Sequence, residues 1–261
     1  MIISSKRCAV LILVTLIAGA GAGYLLGSNQ IAIPDSGAGE EAAPLKNAKL
    51  NIEHNATDED TGFQGFIDSE GWSELTVTGP QGRVLSFKGL GELGTLGLTE
   101  LFFETVEPEN KDVAIEEMLA LLPEGNYTIA GSGIEAGEKM GYTRGTAWLT
   151  HDIPAGSVLL SPKADAVVPA GDLTVSWSPV TETITGEPVN IVAYQLIIEK
   201  DEEPDPHWIG KLGLSIYLPA SVTSVTVPRG FLEPRTSYKW EVLAIEESGN
   251  QTLSSSAFST Q

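Results

Sequence analysis

The apolar residues of this chain fall in short runs that alternate with polar ones, and glycine or proline closes most of the runs. Residues 49–53 alternate in this way, with Leu50 and Ile52 on one side of an extended chain, and so do residues 63–67, 73–78, 173–177 and 191–198. Val, Ile, Thr and aromatic residues fill the runs, while 28 Gly and 15 Pro punctuate them. The expected fold is mostly β.

At 261 residues the chain has room for two cores of roughly 100 residues each beyond its N-terminal segment. The expected organisation is two β-sandwich domains, 47–156 and 157–261, after an N-terminal hydrophobic helix. Residues 1–27 form a signal peptide or a signal-anchor helix, and residues 28–46 form a flexible linker.

Lys6 and Arg7 precede an uncharged stretch over 8–27, the charged start and apolar middle of an export signal. Ala18-Gly19-Ala20 and Ala20-Gly21-Ala22 offer small residues to a signal peptidase, yet about 20 residues also suffice to span a bilayer uncut. Both outcomes export the two domains. Retained, the segment leaves everything after Gly27 outside the cytoplasm; cleaved, it releases a secreted or periplasmic protein.

The only cysteine, Cys8, lies in that stretch, so neither domain holds an internal disulfide and both stand on core packing. With 35 Asp and Glu against 15 Lys and Arg, the net charge of −20 repels phosphate backbones and rules against a nucleic-acid partner.

In the first domain, strands are expected at 49–53, 63–67, 73–78, 98–104, 127–130 and 146–150. Gly79-Pro80-Gln81-Gly82 suits a type II turn joining residues 75–77 to 84–87 in a hairpin. Val113, Ile115, Met118, Leu119 and Leu122, with Asp112 as cap, predict one helix over 112–122. Trp148 is expected inside the sandwich.

Oxygen-bearing side chains alternate along residues 55–62, where Gly62 would allow a sharp turn. Asn55, Asp58 and Asp60 are the candidate ligands for a calcium ion, the one cofactor considered, although the loop lacks the bidentate Glu of an EF-hand. Trp72 and Trp208 are the candidate carbohydrate contacts. Asn55-Ala56-Thr57, Asn126-Tyr127-Thr128 and Asn250-Gln251-Thr252 fit the glycosylation pattern.

In the second domain, Leu173, Val175 and Trp177 point to one face of a strand. The run Leu232-Glu233-Pro234-Arg235-Thr236-Ser237-Tyr238 leads into another that carries Trp240, Val242 and Ala244. With Trp177 and Tyr194, these residues make the last hundred or so positions resemble a fibronectin type III domain. The resemblance implies that Trp177 is the core tryptophan and that the hydroxyl of Tyr238 bonds upstream backbone. The chain departs from the family at 200–222, which is longer and more acidic than the usual connection. It also lacks the cell-attachment tripeptide, since Phe231 follows Arg229-Gly230.

His54, His151 and His207 are far apart in sequence and form no zinc-ligand run, and no nucleophile elbow or phosphate loop occurs. The expected function is therefore non-enzymatic: an exported interaction or structural protein that presents loops or strand edges to a protein partner. A calcium- or carbohydrate-binding accessory module is the alternative. A β-sandwich hydrolase is the third, and it would need convergent carboxylates in a cleft.

Overall fold

One strand of twenty residues organises the first half of the chain. In the computed structural model, which describes residues 43–261 apart from Ala136, Trp208 and Ile209, this strand is β3 (Asp60–Gly79). Around it lie β1 (Ala43–Pro44), β2 (Asn47–Asn55), β4 (Gly82–Lys88), α1 (Gly91–Leu96), β5 (Leu98–Glu104), α2 (Ile115–Leu119), β6 (Gly125–Glu135) and β7 (Glu138–Leu149).

β3 pairs with β2 and β5 along its first half and with β4 and β6 along its second, and its register shifts between Asp68 and Trp72 and again between Trp72 and Glu74. Each shift exchanges the faces of the strand. Phe63, Ile67, Trp72, Leu75 and Val77 therefore all enter one core, although their spacing fits no single alternation. Gly71 is required at the irregularity, because a Cβ there would lie 2.2 Å from the carbonyl oxygen of Ile134.

The sequence treats 63–67 and 73–78 as separate strands; they are one. The helix expected over 112–122 shrinks to five residues, because Asp112 and Val113 belong to a turn in which both amides donate to the carbonyl of Glu109. The described residues contain a second short helix, α1, which the sequence pattern did not mark.

The second half comprises β8 (Leu159–Ser161), β9 (Ala166–Val168), β10 (Thr174–Trp177), β11 (Ile191–Lys200), β12 (Gly213–Pro219), β13 (Ser224–Thr226), β14 (Ser237–Glu246) and β15 (Gln251–Thr260). A three-stranded sheet β13-β10-β8 faces the run β15-β14-β11-β12, enclosing a core of Trp177, Tyr194, Trp240, Val242 and Phe258. This is the strand order of a fibronectin type III-like sandwich. Trp177 meets Tyr194 edge-on at 5.6 Å, and the hydroxyl of Tyr238 accepts the amide N–H of Glu233 at 2.8 Å. Both residues hold the places that the resemblance implied. Within the long 200–222 connection lies β12.

The two cores share a sheet. β15 pairs in parallel with β2, Gln251 opposite Glu53 through Leu253 opposite Asn55, while its far end pairs with β9. Among the described residues the combined sheet has twelve strands, and residues 43–261 belong to one compact unit.

Asn250 locks the junction. Its side chain is fully buried; Oδ1 accepts the amide of Ile52 at 2.8 Å, and Nδ2 donates to the carbonyls of Thr150 and Asp152 and to the Thr150 hydroxyl. Buried polar groups that lose such partners bear their full desolvation cost. Asn250→Ala should lower the unfolding free energy by on the order of 3 kcal/mol in urea titrations. The surface change Asn190→Ala should cost less than about 0.5 kcal/mol.

Candidate functional site

The loop between β2 and β3 is closed by its own hydrogen bonds. Asn55 is buried; its Oδ1 accepts the amides of Thr57 at 3.0 Å and Asp58 at 3.1 Å, and its Nδ2 donates to Asp58 Oδ2 at 3.0 Å. Asp60 stands opposite Asn55 in the ladder. The hydroxyl of Thr57 accepts the amide of Ser255, which docks the loop on β15. The three proposed ligands thus come close together, with Asn55 turning its nitrogen toward Asp58. The left-handed residue of the turn is Glu59 at φ 55°, not Gly62. Gly62 serves a different need: a Cβ there would lie 2.7 Å from Cγ of Glu107.

That space belongs to a cluster which the sequence did not mark. Glu53, Glu104 and Glu107 each bring a carboxylate oxygen within 4.8 Å of the others. Oxygens so placed suit a hard cation, but Glu53 already accepts Nε2 of Gln64 at 2.9 Å and Nε2 of Gln251 at 2.5 Å. Burial raises the pKa of Glu53 above its ordinary 4.5, and the negative charge of Glu104 adds to this against the two amide hydrogen bonds. The pairing of β2 and β5 with the same stretch of β3 brings the three together, so no local spacing reveals them.

Beside it, His54 is buried among protein groups. Its Nδ1 lies 3.1 Å from the carbonyl of Asp60 and 3.0 Å from Oγ1 of Thr61. Because Thr61 donates to Asn110, the histidine N–H is the donor. Burial lowers its pKa below the usual 6.5. His151 bonds the carbonyl of Leu122 and His207 the carboxylate of Asp205, so the three histidines engage separate partners.

The tryptophans exchange expected places. Trp72 is 1% exposed in the first core and offers no ring face to a sugar, whereas Trp148, expected inside, is 56% exposed. The parity of β7 is the reason: Ala147 and Leu149 point inward, so Trp148 between them points out. Trp208 lies outside the described residues. Of the glycosylation patterns, Asn55 and Asn250 are buried and hydrogen-bonded, and Asn126 is exposed.

The remaining candidate is a strand edge. Among the described residues β12 pairs only with β11. Leu214, Ile216 and Leu218 pack against the core, while Ser215 and Tyr217 face solvent, Tyr217 at 71% exposure. Natural edges are guarded by charge, by proline or by shortness, and the proline of β12, Pro219, stands at its last position. Arg83 and Lys88 lie on β4 and Glu100 and Glu104 on β5, and β8 and β13 have three residues each; β12 has seven residues and no charge. The exposed carboxylates of Asp201, Glu202 and Glu203 precede it in the connecting loop.

No protein-family model and no curated protein matches the chain. Among solved structures, the fn3 domain of the human collagen alpha-1(XX) chain is 22% identical, over 42% of this chain and 88% of that one, at a TM-score of 0.29. A two-domain fibronectin type III segment of chicken tenascin is 12% identical, over 82% and 98%, at 0.30. The FN1–FN3 domains of chicken CNTN1 are 11% identical, over 84% and 65%, at 0.33.

Glu53 and His54 act in opposite directions on stability. The folded state holds Glu53 protonated more readily than the unfolded chain does, so its contribution is present below pH 4.5 and lost as pH rises through the raised pKa. His54 resists protonation when folded, so its contribution is lost as pH falls below 6.5. Urea titrations should find Glu53→Gln more stable than the parent at pH 7, with the gap closing toward pH 4.5. His54→Gln should flatten the decline between pH 7 and pH 5.

Proposed function

We propose that the protein is a non-enzymatic interaction module, exported and held at a membrane by residues 8–27, which binds an extended segment of a partner protein by strand addition to β12. The uncharged edge carries this reading. Seven residues of strand without a charge leave backbone N–H and C=O groups unpaired at the sheet margin, and strand addition satisfies them. Tyr217 supplies an aromatic anchor beside Gln195, its cross-strand neighbour. Asp201, Glu202 and Glu203 favour a partner with basic residues flanking its extended segment.

The occupied edge of β15 supports the same choice. β2 and β9 cover its two ends, so within the fibronectin-like sheet the opposite margin, β12, is the one that accepts a strand. Export rests on Lys6 and Arg7 before an uncharged stretch, and the net charge of −20 suits a soluble exported surface.

Selection of a displayed peptide library on residues 43–261 tests the reading. The expected winners alternate β-branched and polar residues, carry Lys or Arg at one end and slow hydrogen exchange at the β12 amides. Ser215→Lys with Tyr217→Lys should weaken them about tenfold or more while leaving the melting temperature unchanged. Peptides that bind this double variant as well as the parent would rule out the β12 site.

A further inference from the structure

The first lobe ends in an apolar surface which neither its core nor the proposed binding edge uses. α1 has no buried residue, and Leu90, Leu93 and Leu96, spaced three apart, are 73%, 52% and 73% exposed. The segment is closely built. Gly89 donates to the carbonyl of Ser73 at 2.8 Å, a Cβ on Gly94 would lie 2.5 Å from the oxygen of Gly89, and Gly97 turns the chain into β5 at φ 87°. Glycines fold the turn tightly against β3 and leave its leucines outward, on a helix whose only charge is Glu92.

The place of α1 in the lobe is informative. Gly97 lies against Ile134, which pairs with Lys139 in the β6–β7 hairpin, and Met140 and Tyr142, both about half exposed, follow on β7. β1 runs parallel to β7 with Ala43 opposite Thr143, so the chain upstream of Ala43 leaves toward Tyr142. The N-terminal end of β1 therefore points toward the end of the lobe that carries the leucines. Fifteen residues, 28–42, separate Ala43 from the uncharged stretch 8–27, a length of chain that reaches at most about 50 Å.

We infer that this end of the lobe seats on a lipid bilayer, with Leu90, Leu93 and Leu96 entering the boundary between headgroups and acyl chains. The inference rests on the reading that residues 8–27 hold the chain at a membrane. A short tether keeps the patch at high effective concentration beside the bilayer, so modest apolar burial is enough for contact. The net charge of −20 selects zwitterionic over anionic headgroups and disfavours a second copy as the occupant.

The test uses the full chain in phosphatidylcholine vesicles, with Cys8→Ser and a single fluorophore on Leu93→Cys or on Glu202→Cys, which follows β11 at the opposite end of the molecule. Lipids with spin-labelled acyl chains should quench the label at 93 about fivefold more than the one at 202. Adding Leu90→Ser and Leu96→Ser should remove the difference. Co-flotation with vesicles but equal, weak quenching at both positions overturns the seating and leaves the tether intact. Failure to co-float overturns the membrane reading and the seating with it. A label at 93 that is shielded without vesicles and with rising protein concentration assigns the patch to a second copy, which overturns the bilayer as occupant.

Discussion

The carboxamide of Asn250 is the contact on which the arrangement of this molecule depends. One buried side chain satisfies an amide of β2 and carbonyls of the segment that leaves β7, while standing at the start of β15. Glu246, also buried, accepts the amides of Ser248 and Asn250 and so fixes the turn that delivers it. Two sandwiches joined only by a peptide would move independently, as interfaces within a chain commonly allow. Here a parallel ladder and a fully paired asparagine make the junction part of the secondary structure.

That junction has a topological consequence. By covering one margin of the fibronectin-like sheet, β2 and β9 leave β12 as the opposite, open margin. The unpaired edge thus faces away from the first lobe. The leucines of α1 lie past the Asn47 end of β2, at the end of the lobe toward which the start of β1 points. A molecule seated at that end would project its acidic β11–β12 loop and open edge away from the bilayer.

Much of this was legible in the residues, and the parts that were not have physical reasons. Alternation marked Leu50, Ile52, Val175 and Trp177 as inward, and the Leu-x-Pro-x-Thr-x-Tyr run placed Tyr238 at its corner, because those signals are local. Trp72 and Trp148 were misplaced because register shifts in β3 and the parity of β7 decide their faces, and only pairing reveals either. β12 was hidden in an acidic connection, since Gly213–Pro219 is flanked by charge and carries none. Glu53, Glu104 and Glu107 are brought together by the pairing of strands far apart in sequence. The lone helix expected over 112–122 was shortened by a turn competing for the same amides.

The account stands on the two lobes being one cooperative body, and tryptophan reports on each separately: Trp72 from the first core, Trp177 and Trp240 from the second. Urea unfolding of residues 43–261 with 5-fluorotryptophan, followed by fluorine resonance, reads them side by side. Coincident loss of the folded signals of all three is the expected result, since a shared sheet should melt as a unit. Loss of Trp177 and Trp240 at a urea concentration that leaves Trp72 folded, or the reverse, would show two independent domains and contradict the junction as described.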